Sequence, residues 1–138
     1  MKVHNPSGVA GPFATYSHGI ELDGPHRFLF GAGQTGVAAD GSVGDGIEAQ
    51  ALLVWQNIRT VLAAADMEIA DIVQLNMLLV DRKDHASAAA IRETALGGHR
   101  PASTLMYVAG LAKPEWLIEI DFIAASRHLP SAVARKIR

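Results

Sequence analysis

The stretch Ile69-Ala70-Asp71-Ile72-Val73-Gln74-Leu75-Asn76-Met77-Leu78-Leu79-Val80, followed by Asp81 to Leu96, decides the fold. Its first half alternates. Val73, Leu75, Met77 and Leu79 point one way, and Gln74, Asn76 and Leu78 the other, which is the period of a strand. Its second half is rich in alanine, the strongest helix former, and Gly97-Gly98 stops it. A strand over 69–80 and a helix over 81–96 are therefore expected, in a layered fold.

Upstream, residues 47–65 carry Ala51, Trp55, Ile58 and Leu62 at i, i+4, i+7 and i+11, one apolar helical stripe. Asp45 stands where a carboxylate would cap that helix. Before it, residues 16–22 read as a first strand and Asp23-Gly24-Pro25 as a turn. Arg27 to Phe30 reads as a second, buried strand, pairing with the first as a hairpin. A third short strand is expected around Gln34 to Val37, and residues 1–12 as an irregular arm. Downstream, strands are expected over 103–109 and 116–125. The order ββ(β)-α-β-α-ββ describes an α+β fold, a mixed sheet with two helices on one face.

The 138 residues suffice for one domain that buries roughly two-thirds of its unfolded surface. There is no cysteine, so disulfides, thiolate catalysis and cysteine metal sites are excluded. Twelve basic against fourteen acidic residues give a net charge of −2, which argues against a nucleic-acid partner. No run of about 18 apolar residues suggests a membrane span, and no apolar segment follows Lys2 as in a secretory signal. The expected compartment is the cytoplasm. Charged residues are only 19% of the chain, below the usual share of about 25%, a hint that another subunit covers part of the surface.

Gly31-Ala32-Gly33-Gln34-Thr35-Gly36 fits the dinucleotide spacing G-x-G-x-x-G. Turn residues follow it instead of a helix, so it reads better as a glycine-lined strand end open to a ligand. The six histidines form no metal-binding pattern. His18 reads as a hydrogen-bonded strand residue or as a site residue. Glu119 and Asp121 lie two apart, on one strand face about 6–7 Å from each other. Ile118, Ile120 and Phe122 should face the helices. The two acids are then either solvated or, if subunits pack there, buried where one can act as general acid or base. Ser103 and Thr104 lack the elbow of a serine hydrolase.

Five stretches resemble the RidA/YjgF family of enamine/imine deaminases. They are Gly11-Pro12 with Tyr16-Ser17-His18; Gly31 to Gln34; Ala49-Gln50 through Asn57; Pro101 to Thr104 with Val108 to Leu111; and Ile118 to Ala124. The resemblance implies a single domain over residues 1–126 with a C-terminal extension over 127–138. It also implies a chorismate-mutase-like fold, a homotrimer with clefts between subunits, and a small-molecule ligand. No metal or organic cofactor is implied, since water is the nucleophile. Tyr16 matches the family's site tyrosine, Gly33 its backbone donor and Glu119 its glutamate. The carboxylate-binding arginine of the P-A-R-S motif does not carry over, because Ser103 holds its place. Losing such a charge-assisted pair costs about 2–5 kcal/mol when the partner is desolvated. Arg100 and His18 are candidate substitutes, and the Ser103 and Thr104 hydroxyls candidate ligand contacts. The expected function is hydrolytic deamination of a non-standard enamine or imine. The alternative is a non-catalytic metabolite-binding or scaffold protein.

Overall fold

The computed structural model describes residues 1–128, so the expected extension lies, from residue 129 onward, outside the described residues. Helix α1 (Gly46–Ala64) follows from its stripe: Ala51, Val54, Trp55, Ile58 and Leu62 are all buried. Asp45 occupies the N-cap position, but its side chain makes no capping hydrogen bond. A single 3-10 turn precedes strand β4 (Ile72–Leu79), and another precedes helix α2 (His85–Leu96). Gly97 ends α2 in the left-handed conformation, φ 56°, which a glycine adopts without strain.

The main sheet adds β3 (Arg27–Thr35), β5 (Ala102–Tyr107) and β6 (Ile118–Ser126), in the order β3-β6-β4-β5. The β4–β5 pair is parallel, joined across α2, and the other pairs are antiparallel. Ile72, Leu75, Leu79, Ile118, Ile120 and Phe122 meet α1 in one core, and Ala88, Ala95 and Leu96 extend it from α2. Each such large side chain stabilises the fold by about 1.5–3 kcal/mol relative to exposure. No helix among the described residues is long and apolar enough to cross a membrane.

The N-terminal third differs from expectation. The hairpin between residues 16–22 and 27–30 does not form. Strand β2 (Gly19–Glu21) pairs instead with β1 (Lys2–His4), from the arm expected to be irregular, in a separate two-stranded sheet. The expected third strand is the far end of β3, beyond a register break between Gly31 and Gln34. Strand β3 is also not buried on both faces. Leu29 packs on the core, while Phe28 and Phe30 stack on each other with ring centroids 6.4 Å apart on the sheet face away from the helices. Phe30 is 75% exposed there.

Candidate functional site

A cleft of about 500 Å³ opens at the β5 edge of the sheet. Helix α2 presents His85, Ala89 and Arg92 to it, at i, i+4 and i+7. Ser103, Thr104 and Leu105 of β5 and Met77 of β4 form another wall. Phe13, Ala14 and Tyr16 close it from the N-terminal segment. That segment is tied down by named bonds. The Ser17 N–H donates to the Pro101 carbonyl at 3.0 Å, and its hydroxyl to the Arg100 carbonyl at 2.6 Å. The Thr15 hydroxyl donates to the Glu93 carboxylate, and Arg92 Nη2 donates to the Thr15 carbonyl at 2.8 Å.

Arg92 is a charge on the buried stripe of α2, beside Ala88, Ala95 and Leu96. Only 7% of its side chain is accessible. Burial lowers its pKa, and Glu93, with Oε1 3.6 Å from Nη1, opposes that shift. A guanidinium stays charged through such a shift.

Gly33 and Glu119 form a second cluster. Glu119 and Asp121 stand on the sheet face away from the helices, opposite in direction to the buried Ile118, Ile120 and Phe122. Asp121 accepts a hydrogen bond from Asn76 Nδ2 at 2.9 Å. Glu119 has no hydrogen-bond or ion-pair partner among the described residues. Its carboxyl carbon lies 2.7 Å from where a Cβ on residue 33 would stand, so only glycine leaves the acid this position. Ala32 and Gly33 fall in the register break, without a Cα partner on β6.

Of the residues singled out by sequence, Tyr16, Ser103 and Thr104 meet in the cleft. Gly33 and Glu119 meet each other elsewhere. Ser103 pairs with Leu75 and so faces the helices, whereas Glu119 pairs with Leu78 on the opposite face. With β4 between them and three residues of stagger, their Cα atoms are on the order of 14 Å apart within one chain. His18 lies outside the cleft. Its Nε2 contacts the Ala10 carbonyl at 2.7 Å, its N–H donates to Asn5 Oδ1, and its ring meets Tyr16 edge-on. The exposed Arg100 engages the fold through its carbonyl, not its guanidinium. Sequence reasoning missed Arg92, Glu93 and His85. The available signal was a lone arginine in phase with the apolar positions of α2.

A second groove, about 460 Å³, runs between α1 and α2 along Leu52, Trp55, Arg59 and Ile91. Its lining holds no carboxylate or histidine. Among the described residues, no three histidine, aspartate or glutamate side chains converge as a metal ion requires.

Residues 8–126 match the family model described as Endoribonuclease L-PSP. A 2-iminobutanoate/2-iminopropanoate deaminase of Salmonella typhimurium is 30% identical over 131 residues, covering 92% of this chain and 97% of that protein. A RutC family protein of Pyrococcus horikoshii is 32% identical over 119 residues, 82% of this chain and 88% of the relative. The crystal structure of the Rid-family protein YyfB from Yersinia pestis, of unknown function, superposes with a TM-score of 0.77 at 32% identity, covering 91% of this chain and 98% of that one.

Proposed function

The chain belongs to the endoribonuclease L-PSP family of RidA/YjgF proteins, and we propose on that premise that it binds a small enamine, imine or carbonyl compound in clefts between the subunits of a homotrimer and adds water to it. The observation that carries this reading is the Glu119 carboxylate, unpartnered among the described residues and held against Gly33 on the sheet face that also exposes Phe28 and Phe30. Exposed aromatic pairs such as Phe28 and Phe30 mark surfaces that another subunit covers. Packing there surrounds Glu119 with a neighbouring chain and brings it to that chain's cleft, which its own fold does not do.

The chemistry follows from these groups. Glu119 orients a water and takes one of its protons as the oxygen attacks the imine carbon. The C–N bond of the resulting aminoalcohol then breaks. Glu119 has by then returned that proton to nitrogen, and the hydroxyl proton follows as the carbonyl forms, so nitrogen leaves as ammonia and imine plus water become carbonyl plus ammonia. The Tyr16 hydroxyl, the Gly33 N–H and the Ser103 and Thr104 hydroxyls orient the ligand. Ser103 marks the departure from the family's strand arginine, so the substrate is anchored differently from that of a deaminase carrying it.

The test is ammonia release from freshly generated 2-iminopropanoate and from analogues with a displaced or absent carboxylate. Activity on at least one of them, lost in Glu119→Gln with assembly intact, is the expected result. Unchanged activity in Glu119→Gln removes the base assignment. The serine at 103 is what favours the alternative, a non-catalytic metabolite binder. Ligand binding with no ammonia release from any of these compounds would establish it.

A further inference from the structure

The cleft is lined by a buried cation, Arg92, with 7% of its side chain accessible. Arg92 Nη2 donates to the Thr15 carbonyl and Nη1 lies 3.6 Å from Glu93. The other N–H groups of its five-donor fork have no acceptor among the described residues. A desolvated charge with so few partners is costly unless something else completes it. The space beside it is available because its neighbours are small: Ala89 lies one turn before it on α2, and Ser103 faces the same cleft from β5. Glu93 does not fill the role. Its side chain is 48% accessible, and it also accepts the Thr15 hydroxyl. His85 is the one other titratable group lining the cleft besides Tyr16, and it stands exposed with its ring edge-on to Tyr107.

We infer that Arg92 is the anion anchor of the cleft, delivering from helix α2 the guanidinium that strand β5 lacks, and that the compounds held there carry a carboxylate. This rests on the cleft being the ligand site. A planar fork suits a carboxylate better than a point charge does, because two parallel N–H groups meet its two oxygens. An anchor on the helix side also turns the ligand relative to one held from the strand, which fits a substrate whose carboxylate is placed differently from that of a simple 2-imino acid.

The probes are 2-oxobutanoate and its neutral amide, titrated against the full chain with the amide resonances of Tyr16, Ser103 and Thr104 as readout. The wild type is expected to bind the acid more tightly than the amide. Arg92→Gln keeps a donor for the Thr15 carbonyl and loses the charge, so acid affinity should fall about tenfold to a hundredfold with amide affinity unchanged. Arg92→Gln combined with Ser103→Arg should regain the acid preference. If Arg92→Gln does not fold, Arg92→Lys serves, retaining the preference at lower affinity. A folded Arg92→Gln that still prefers the acid overturns the inference alone, as does an equal loss for both probes, the mark of a tether, or an Arg92→Lys without preference. A wild type that binds neither probe overturns the cleft as ligand site, and the inference with it.

Discussion

The Glu119 carboxylate occupies the space from which a side chain on residue 33 would start. A strand glycine normally weakens its strand, and here its lack of a Cβ is what seats the acid. Gly33→Ala should therefore push Glu119 aside and lower any water-addition activity at least about tenfold, equivalent to ~1.4 kcal/mol of barrier. Residue 33 is exposed in a register break, so the melting temperature should move by only a few degrees. A Gly33→Ala protein with full activity would show that this seat is dispensable.

Phe30, stacked on Phe28 and three-quarters exposed in the single chain, should lie at the proposed subunit interface. Phe30→Glu is expected to yield monomers in sedimentation while the circular dichroism of α1 and α2 is retained. A variant that still sediments with the wild type would place the interface elsewhere.

Gln50 is 2% exposed and joins three segments. Its amide donates to the Gly44 carbonyl at 3.1 Å and to the Glu115 carbonyl at 2.9 Å, and its oxygen accepts the Leu117 N–H at 2.9 Å. Gln50→Leu leaves those backbone groups unpartnered and should cost about 2–4 kcal/mol in urea unfolding. Gly36→Ala should cost a comparable amount, because its Cβ would stand 2.6 Å from Gln50 Cα. Unfolding midpoints equal to that of the wild type would show that the segments hold without this junction.

Asp81 leads into α2. The Lys83 N–H that it accepts, at 2.9 Å, holds its carboxyl below the ordinary value of 3.8, and the Lys83 charge adds to this. A lowered carboxyl pKa contributes stability that is present above the unfolded value and lost as the pH falls through the folded one. Wild type should exceed Asp81→Asn in stability at pH 7, and the two should converge as the pH falls below 3.8 through the lowered pKa of the folded carboxyl. A difference unchanged by acid would assign the effect to something other than this carboxylate.

The centre of the fold was legible because period and burial agree there. The α1 stripe, the alternation of β4 and the opposed faces of Glu119 and Ile120 are each set by one hydrophobic pattern. The N-terminus was not, because residues 2–4 and 19–21 carry little apolar signal and their pairing depends on backbone bonds between distant segments. The chain bends at Gly24 within the expected turn, yet β2 goes to β1, while β3 takes β6. Phe28 and Phe30 read as buried because hydrophobicity alone does not distinguish a core-facing from an exposed side of a strand. Tyr16, Ser103 and Thr104, which the family pattern singled out, line one cleft. Arg92 was not singled out, since the alanines around it spoke for helix and drew attention from its phase.

Ser103 and Glu119 look out from opposite sides of one sheet with β4 between them. On the proposed assembly no polypeptide can serve itself, and each borrows its acid from next door. Glu119→Gln chains blended with cleft-blocked Ser103→Trp chains would then recover turnover that neither has alone. Dilution would silence the protein long before heat melted it, so its output would climb more steeply than its abundance.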